Sequence, residues 1–502
     1  MRELLNEKEN RRLELVEMIY LNPGIRLKTL SEKLYLTIMQ LQIDIGFLNQ
    51  MISPLFIEVT GDKRCYLQIP QEKSMKIIYQ TFLKESLTFR LLETVFFNEH
   101  DNYEKLAKEL FISQATLKRT ISFINLCLAP YQIRIKSRPV QMVGDENNIR
   151  AFYIFYFQER YPDDEYPFDK IIKDFSLELI DVFMEKFPSG QYNYPSHMRM
   201  KRYLLVALTR EKQHHVPSQM VELPKDLQEL VQSEISHYQN KNNFEYYFKI
   251  ELTVDVYQRL FRYFLNDWYA LSERDFKERV GKTKGNREVF EGIINVIETL
   301  SDDFSIPVTH LEKLTLNMYN VISIAKEISI TPYIIFPNRK TFLLLSHHLK
   351  ETVQSRVKSL FQENLPMIAA SNNAYFYEFF YLLVTHWQGF YHYLIETTPP
   401  CRIVLFFNSD VEHMYYMSEH LNFLFGKKVK VTTLYLQTSE ELSKATADYD
   451  LVLINFILPE NIKLVPPYIS VIDVLGIDEL TQIEVLVNQQ YYHNMSYFLR
   501  NV

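Results

Sequence analysis

Residues 103–144, YEKLAKELFISQATLKRTISFINLCLAPYQIRIKSRPVQMVG, constrain the fold more than any other stretch. Leu106, Leu110, Leu117, Ile121 and Ile124 recur at helical spacing, and Phe111-Ile112-Ser113 separates the first pair from the rest. Ser113 suits the N-cap of a helix opening at Gln114, where its hydroxyl takes up one of the free N–H groups. Two short helices joined by a tight turn form a helix-turn-helix, whose second helix enters the DNA major groove. At 100° per residue, Leu117, Ile121, Ile124 and Leu128 share one apolar stripe. Ala115, Lys118, Arg119 and Ser122 lie opposite, beside Gln114. That face offers cations to phosphate and an Arg contact to guanine. Beyond Pro130, Ile133-Arg134-Ile135-Lys136 alternates as a half-buried strand does, and Ser137-Arg138-Pro139 turns it back into Val140–Val143. The segment reads as a winged helix that binds duplex DNA, with Arg134, Lys136 and Arg138 along the wing. From Phe111 to Val140 there are five Lys or Arg and no Asp or Glu, so the phosphate backbone is the natural partner.

The pattern occurs twice. A shift of 76 residues lays Leu30-Ser-Glu-Lys-Leu34-Tyr-Leu36 on Leu106-Ala-Lys-Glu-Leu110-Phe-Ile112. Leu41, Ile45, Phe47, Leu48 and Asn49 then fall on Leu117, Ile121, Phe123, Ile124 and Asn125. Residues 57–69 supply the matching hairpin. The outward face of the first copy carries Met39, Gln42, Ile43 and Gly46 and no cation, with Asp44 near it. The first copy is therefore expected to contribute weakly to DNA contact, or structurally.

At 502 residues the chain is too long for one core. Whole-chain charge, −7, gives no hint of a nucleic-acid partner. Residues 1–150 hold 21 Lys and Arg against 18 Asp and Glu, so only the local window does so. Three dispersed cysteines, Cys65, Cys127 and Cys401, suit a reducing compartment. The start, MRELLNEKEN, lacks the apolar core of a signal peptide. Residues 376–395, the most membrane-like run, are interrupted by Glu378, His386, Gln388 and His392 and read as a buried helix. A cytoplasmic protein with no membrane contact is expected.

Residues 1–70 form the first helix-turn-helix unit and 71–160 the second, with a helical run over 74–98 leading into it. A hinge is expected at 161–167. Residues 168–281 and 285–396 read as two helical bundles, because amphipathic segments alternate with short breaks and no heptad persists. After Pro399-Pro400 the period changes. Apolar strands near 402–407, 427–436, 450–455 and 468–474 interleave with a helix over 413–425, which predicts a small α/β domain over 400–502 with a mostly parallel sheet. The fold class is mainly α.

This order resembles the Mga/AtxA family of Gram-positive transcriptional regulators. The residues that carry the likeness are 103–113, Gln141-Met-Val-Gly-Asp-Glu146 with Ile149-Arg150, and Leu208-Thr-Arg210 through His215. The resemblance implies that the two bundles are phosphotransferase-system regulatory domains, modified on histidine by phosphocarrier proteins. It implies an enzyme-IIB-like terminal domain that assists formation of a homodimer or higher oligomer. It also implies an activator of transcription, often of virulence and sugar-uptake genes, with RNA polymerase as a further partner. Phosphoryl acceptance needs an exposed neutral imidazole, which the ordinary histidine pKa of about 6.5 supplies. By resemblance, His215 falls at the acceptor position of the first bundle, and His214 stands where the family often has glycine. In the second bundle His386 is the candidate by position, with His310, His347 and His392 behind it. The charged neighbours Arg210 and Lys212 are expected to pair with a phosphoryl group on His215.

The terminal domain departs from an active enzyme IIB. The loop after its first strand, Asn408-Ser-Asp-Val411, has no cysteine, and Cys401 lies on the wrong side of that strand. No catalytic constellation, metal motif or cofactor-binding glycine loop stands out, and glycine totals only 11 in 502 residues. The expectation is a non-enzymatic protein with no cofactor and no metal. Two rivals remain: a DNA-binding regulator whose helical middle senses a metabolite or peptide, and a scaffold that uses its winged helices for protein contacts.

Overall fold

The computed structural model describes residues 1–99, 102–162, 165–186, 194–217, 223, 225–266, 268–326, 328–345, 352–371, 373–392, 399–436, 438, 441–472 and 474–498. These divide into two compact units. One holds residues 1–295, 310–342 and 364–379, and the other holds 296–309, 343–363 and 380–502.

The first unit opens with α1 (Glu7–Leu21), α2 (Leu27–Leu34) and α3 (Ile38–Met51). Strands β1 (Ile25–Arg26), β2 (Phe56–Val59) and β3 (Arg64–Gln68) make an antiparallel sheet in the order β1-β3-β2. Residues 74–98, expected as one helical run, form α4 (Lys76–Glu85) and α5 (Leu87–Phe97). The chain breaks at Ser86, whose φ of −67° and ψ of 125° are extended. Ser86 Oγ donates to Glu9 Oε2 at 3.2 Å, so the break also ties these helices to α1. The second copy follows as α6 (Tyr103–Glu109), α7 (Gln114–Leu128) and the hairpin of β4 (Ile133–Ser137) with β5 (Val140–Gly144).

The repeat is reproduced in detail. Tyr35 and Phe111, 76 positions apart, both take positive φ (53° and 57°) and both stand exposed in the turn between the paired helices. Asn49 and Asn125, also 76 apart, each clamp a wing strand to the preceding helix. Asn125 Nδ2 donates to Ile135 O at 3.1 Å, and Ile135 N donates to Asn125 Oδ1 at 2.7 Å. Asn49 makes the same pair with Ile57, at 2.9 and 2.6 Å. At the base of the second wing, Gly144 has φ +136°, and a Cβ there would lie 1.9 Å from Gln132 O, so only glycine fits.

Helix α8 (Glu146–Arg160) is capped by Asp145, which accepts from Asn148 N at 2.8 Å. It is buried almost all round, unlike a surface helix with one apolar stripe. Its aromatics pack with α5: the Phe96 and Tyr153 rings lie 4.2 Å apart, and Phe157 meets Phe96, Phe97 and Phe168. The helices beyond it are α9 (Lys170–Lys186), α10 (Tyr194–Lys212), α11 (Lys225–His237), α12 (Lys241–Phe248), α13 (Val254–Leu260) and α14 (Arg262–Leu265). The breaks expected at 188–195 and 217–224 fall largely outside the described residues.

In the second unit, strands β6 (Cys401–Phe406), β7 (Val429–Thr433), β8 (Leu451–Ile454) and β9 (Tyr468–Ser470) form a wholly parallel sheet in the order β7-β6-β8-β9. Ile403 and Leu405 pack with Met414, Met417 and Leu421 of the helix Val411–Phe425 and with Ile483 and Val487. Val404, Val452 and Ile454 face the other way, onto Leu442. Strand β8 is buried at every position, as a parallel strand covered on both faces should be. Cys401 opens β6 rather than preceding it. It is fully buried there, and burial pushes its thiol up to about 12, away from nucleophilic use.

Candidate nucleic-acid interface

Ser113 caps α7 as expected, accepting from Thr116 N at 3.0 Å. Leu117, Ile121, Ile124 and Leu128 are buried, while Gln114, Ala115, Lys118, Arg119 and Ser122 are all exposed. On the wing, Ile133 and Ile135 point inward and Arg134, Lys136 and Arg138 outward. The structure thus brings α7 and the wing together as one unit that displays five cations, held by the Asn125 clamp. None of Lys118, Arg119, Arg134, Lys136 or Arg138 pairs with a carboxylate among the described residues. Cations without internal partners are what a polyanion can recruit.

The first copy allocates its charges differently. Asp44 is not outward but 2% exposed, beneath the helix, where it accepts from Arg12 Nε at 2.7 Å and from Arg11 Nη2 at 2.7 Å. The Arg12 guanidinium also lies 3.6 Å from the centre of the Phe47 ring. Outward stand Met39, Gln42, Ile43 and Gly46, with Met39 72% and Ile43 58% exposed.

A buried ion network underlies the second wing. Glu146 accepts from Arg150 Nε at 3.0 Å and from Arg210 Nε and Nη2 at 3.0 and 2.7 Å. Arg210, 1% exposed, also donates from Nη2 to Met142 O in β5 at 3.3 Å. Arg150 Nη2 reaches Glu211 Oε1 at 2.9 Å and His215 O at 3.1 Å. Arg259 holds Glu211 through Nε and Nη2, the latter at 2.9 Å. Burial raises the Glu146 carboxyl, but the Arg210 and Arg150 guanidiniums outweigh it and hold the group below the usual carboxylate range. Sequence periodicity gives no hint of this network, since charged residues in helical segments read as solvated.

The histidines separate. His214 is exposed at φ +63°, two residues past the end of α10, a left-handed position that glycine favours. His215 is half-buried, with Nε2 against Glu99 Oε1. Arg210 and Lys212 do not face His215 as cationic partners: Arg210 is committed to Glu146, and Lys212 Nζ donates to Tyr247 Oη at 2.9 Å over that ring. His386, in the other unit, is exposed, with Nδ1 2.8 Å from Thr385 Oγ1, while Leu383, Val384, Trp387 and Phe390 are buried. His310 caps a helix at φ +57° and His392 is exposed; His347 lies outside the described residues. Among the described residues, no group of three or more His, Cys, Asp or Glu is placed to hold a metal, and no helix is long and apolar enough to cross a membrane.

Residues 71–157 match the Mga helix-turn-helix domain, a span that contains α7, the wing and most of α8. A Streptococcus pneumoniae protein described as a trans-acting regulator is 25% identical over 93% of this chain and 95% of its own length. The capsule synthesis positive regulator AcpA of Bacillus anthracis is 22% identical, over 62% of this chain and 65% of its own. The anthrax toxin expression trans-acting positive regulator of the same organism is 27% identical, over 40% of this chain and 42% of its own.

Proposed function

We propose that this chain, which belongs to the Mga/AtxA family of transcriptional regulators, binds duplex DNA through α7 and the second wing and acts as a positive trans-acting regulator. The observation that carries the reading is the exposed set Lys118, Arg119, Arg134, Lys136 and Arg138, with no carboxylate partner among the described residues, displayed within the segment that matches the Mga helix-turn-helix domain. Gln114, Ala115 and Ser122 share that face and are the base-edge candidates. The names of the relatives, positive regulators of capsule and toxin expression, support an activator; RNA polymerase is the further partner in this reading. The test is titration of the full-length chain against duplex promoter fragments and unrelated duplex at several salt concentrations. Specific binding that weakens steeply with salt supports the reading; no binding, or salt-independent binding, sinks it and favours the scaffold alternative.

The active form in this reading is a homodimer or higher oligomer, since specific affinity usually comes from two half-sites related by symmetry. Residues 400–502 serve as one contact, through the enzyme-IIB-like fold that has kept its parallel sheet without a loop cysteine. Residues 168–281 and 285–396 act as phosphotransferase-system regulatory domains, with His215 and His386 as acceptors and His214 as the alternative at the first site. A phosphoryl group on His215 would meet the Glu99 carboxylate and break that contact. One on His386 would stand in solvent beside Thr385. Incubation with the phosphorelay's general proteins, followed by mass measurement of the tryptic peptides, tests both sites.

A further inference from the structure

Behind the wing-base network lies a cavity of about 40 Å³ between α8, α10, α13 and α14. Its walls are mostly apolar or aromatic: Ala151, Ile154, Ala207, Leu260, Tyr203 and Trp268. Its charged lining is Arg150, Arg259 and Arg262, and no carboxylate lines it among the described residues. One donor there is buried without an acceptor, and a second, on a partly exposed side chain, is left uncommitted by the network. Trp268 is 4% exposed, and its buried Nε1 makes no hydrogen bond among the described residues. Arg259 spends Nε and Nη2 on Glu211, while its Nη1 makes no hydrogen bond among the described residues. The charge count points the same way. Arg150, Arg210 and Arg259 share only Glu146 and Glu211, so the network holds three cations against two anions. A buried positive charge without a counterion is costly, as is a buried N–H without an acceptor.

We propose that this cavity is a binding site for a small organic monocarboxylate. The carboxylate supplies the missing negative charge and accepts from Arg259 Nη1 and Trp268 Nε1, and a short apolar body lies against Ala151, Ile154 and Ala207. At about 10–15 Å³ per water the space holds about three waters, which is the room for a carboxylate bearing two or three carbons. One wall of the site is Arg150, whose Nε is bound to Glu146, two residues beyond the wing. An occupant therefore touches the same network that fixes Met142 of β5 through Arg210.

The chain has two tryptophans, so replacing Trp387 by Phe leaves Trp268 emission as a direct reporter of the cavity. Sodium propionate, propionamide and inorganic phosphate are titrated at constant ionic strength, and thermal stability of the unsubstituted full-length chain is followed in parallel so that the result does not rest on the Trp387→Phe background. Propionate is expected to change the emission saturably, with half-saturation on the order of a millimolar, and to raise the melting temperature. Propionamide, which lacks the charge, should bind at least about tenfold more weakly, the cost of one uncompensated charge interaction. Phosphate should bind more weakly than propionate, because it has no apolar body to lie against Ala151, Ile154 and Ala207. Ala207→Leu fills the space and should abolish the response, and Ile154→Phe serves the same purpose if the first variant unfolds early. No saturable response to propionate, an equal response to propionamide, or a response retained in the filled variants each overturns the site. Duplex titration without propionate reports separately on DNA binding, so failure of one reading leaves the other measurable.

Discussion

Replacing Lys118 and Arg119 by Ala should change the salt dependence of DNA binding by an amount the structure fixes in advance. Five exposed cations, none with a carboxylate partner among the described residues, stand on α7 and the wing. If each neutralises one phosphate, log K falls against log salt with a slope of about −4.5 per protomer. A rise from about 50 to about 200 mM salt then weakens binding about 500-fold. The double variant keeps three contacts, so its slope is about −2.7 and the same salt change costs about 40-fold. At about 0.1 M salt it should bind about 60-fold more weakly than the parent. Neither side chain packs in the core, so the variant should unfold at the parent's temperature. The assay is fluorescence anisotropy of a labelled duplex across the salt series, with circular dichroism to check folding. Gln42→Ala with Ile43→Ala on the first copy is the control and should leave the slope unchanged. A folded Lys118/Arg119 variant that keeps the parental slope refutes the placement of the interface on α7. A changed slope in the control would refute the division of labour between the copies.

Glu146→Gln keeps the shape of the side chain but leaves Arg150 and Arg210 sharing a neutral amide. Breaking a buried pair of this kind costs about 3–5 kcal/mol, and faster amide exchange at Met142–Gly144 would register the loosened wing. The carboxyl of Glu159, at the other end of α8, accepts from the amides of Ile334, Ile335 and Phe336 at 2.6, 2.9 and 3.0 Å. Burial nevertheless prevails over those donors and pushes it up to about 7. A folded pKa above the unfolded one gives stability that is complete at low pH and lost as pH rises, here by about 1.4 kcal/mol per unit up to about pH 7. Denaturant titrations between about pH 5 and pH 8 should show that slope, and Glu159→Gln should flatten it. Deleting 401–502 should lower the mass in solution from dimer to monomer, and a truncated chain that dimerises like the parent would remove that contact from the reading. Asp at His215 should weaken the contact with Glu99 and alter reporter output more than Asp at His386, whose side chain is exposed; parental output from both would remove the two acceptors from the reading.

What the sequence discloses follows from the range of the interaction involved. The α7 faces, the Ser113 cap and the wing depend on residues within one or two turns of one another, and periodicity resolves them. The parallel sheet was legible because β8, Leu451–Ile454, is apolar without alternation, and only a strand covered on both faces has that composition. The Ser86 break was not legible, since its tie is to Glu9, 77 positions earlier. The ion network was missed for a related reason. Arg150, Arg210 and Glu211 each sit in a helix where a charge reads as solvated, and their burial is decided by partners 48 to 64 residues away. Arg210 does leave a trace, since it lies in the Leu208–His215 segment that carries part of the family resemblance. Sequence proximity pairs His215 with Arg210 and Lys212, whereas folding sets it against Glu99, 116 positions away.

The two winged copies share a backbone to the level of the Tyr35/Phe111 turn and the Asn49/Asn125 clamp, so their difference lies in where each sends its charge. In the first copy Arg11 and Arg12 close on Asp44, Arg12 covers Phe47, and on the hairpin Arg64 Nε turns to Asp62 Oδ2 at 2.9 Å. Each of those cations already has an anion or a ring, and a phosphate would have to displace it. In the second copy no carboxylate lies between Phe111 and Val140, so on the proposed reading a phosphate would meet the equivalent face with no neighbouring carboxylate to displace. The cost of recruiting a phosphate is therefore lower on the second copy at every contact, and the difference grows with each added contact. Duplication of the fold supplies a second platform, and on the proposed reading the placement of a few carboxylates decides which of the two would hold the nucleic acid.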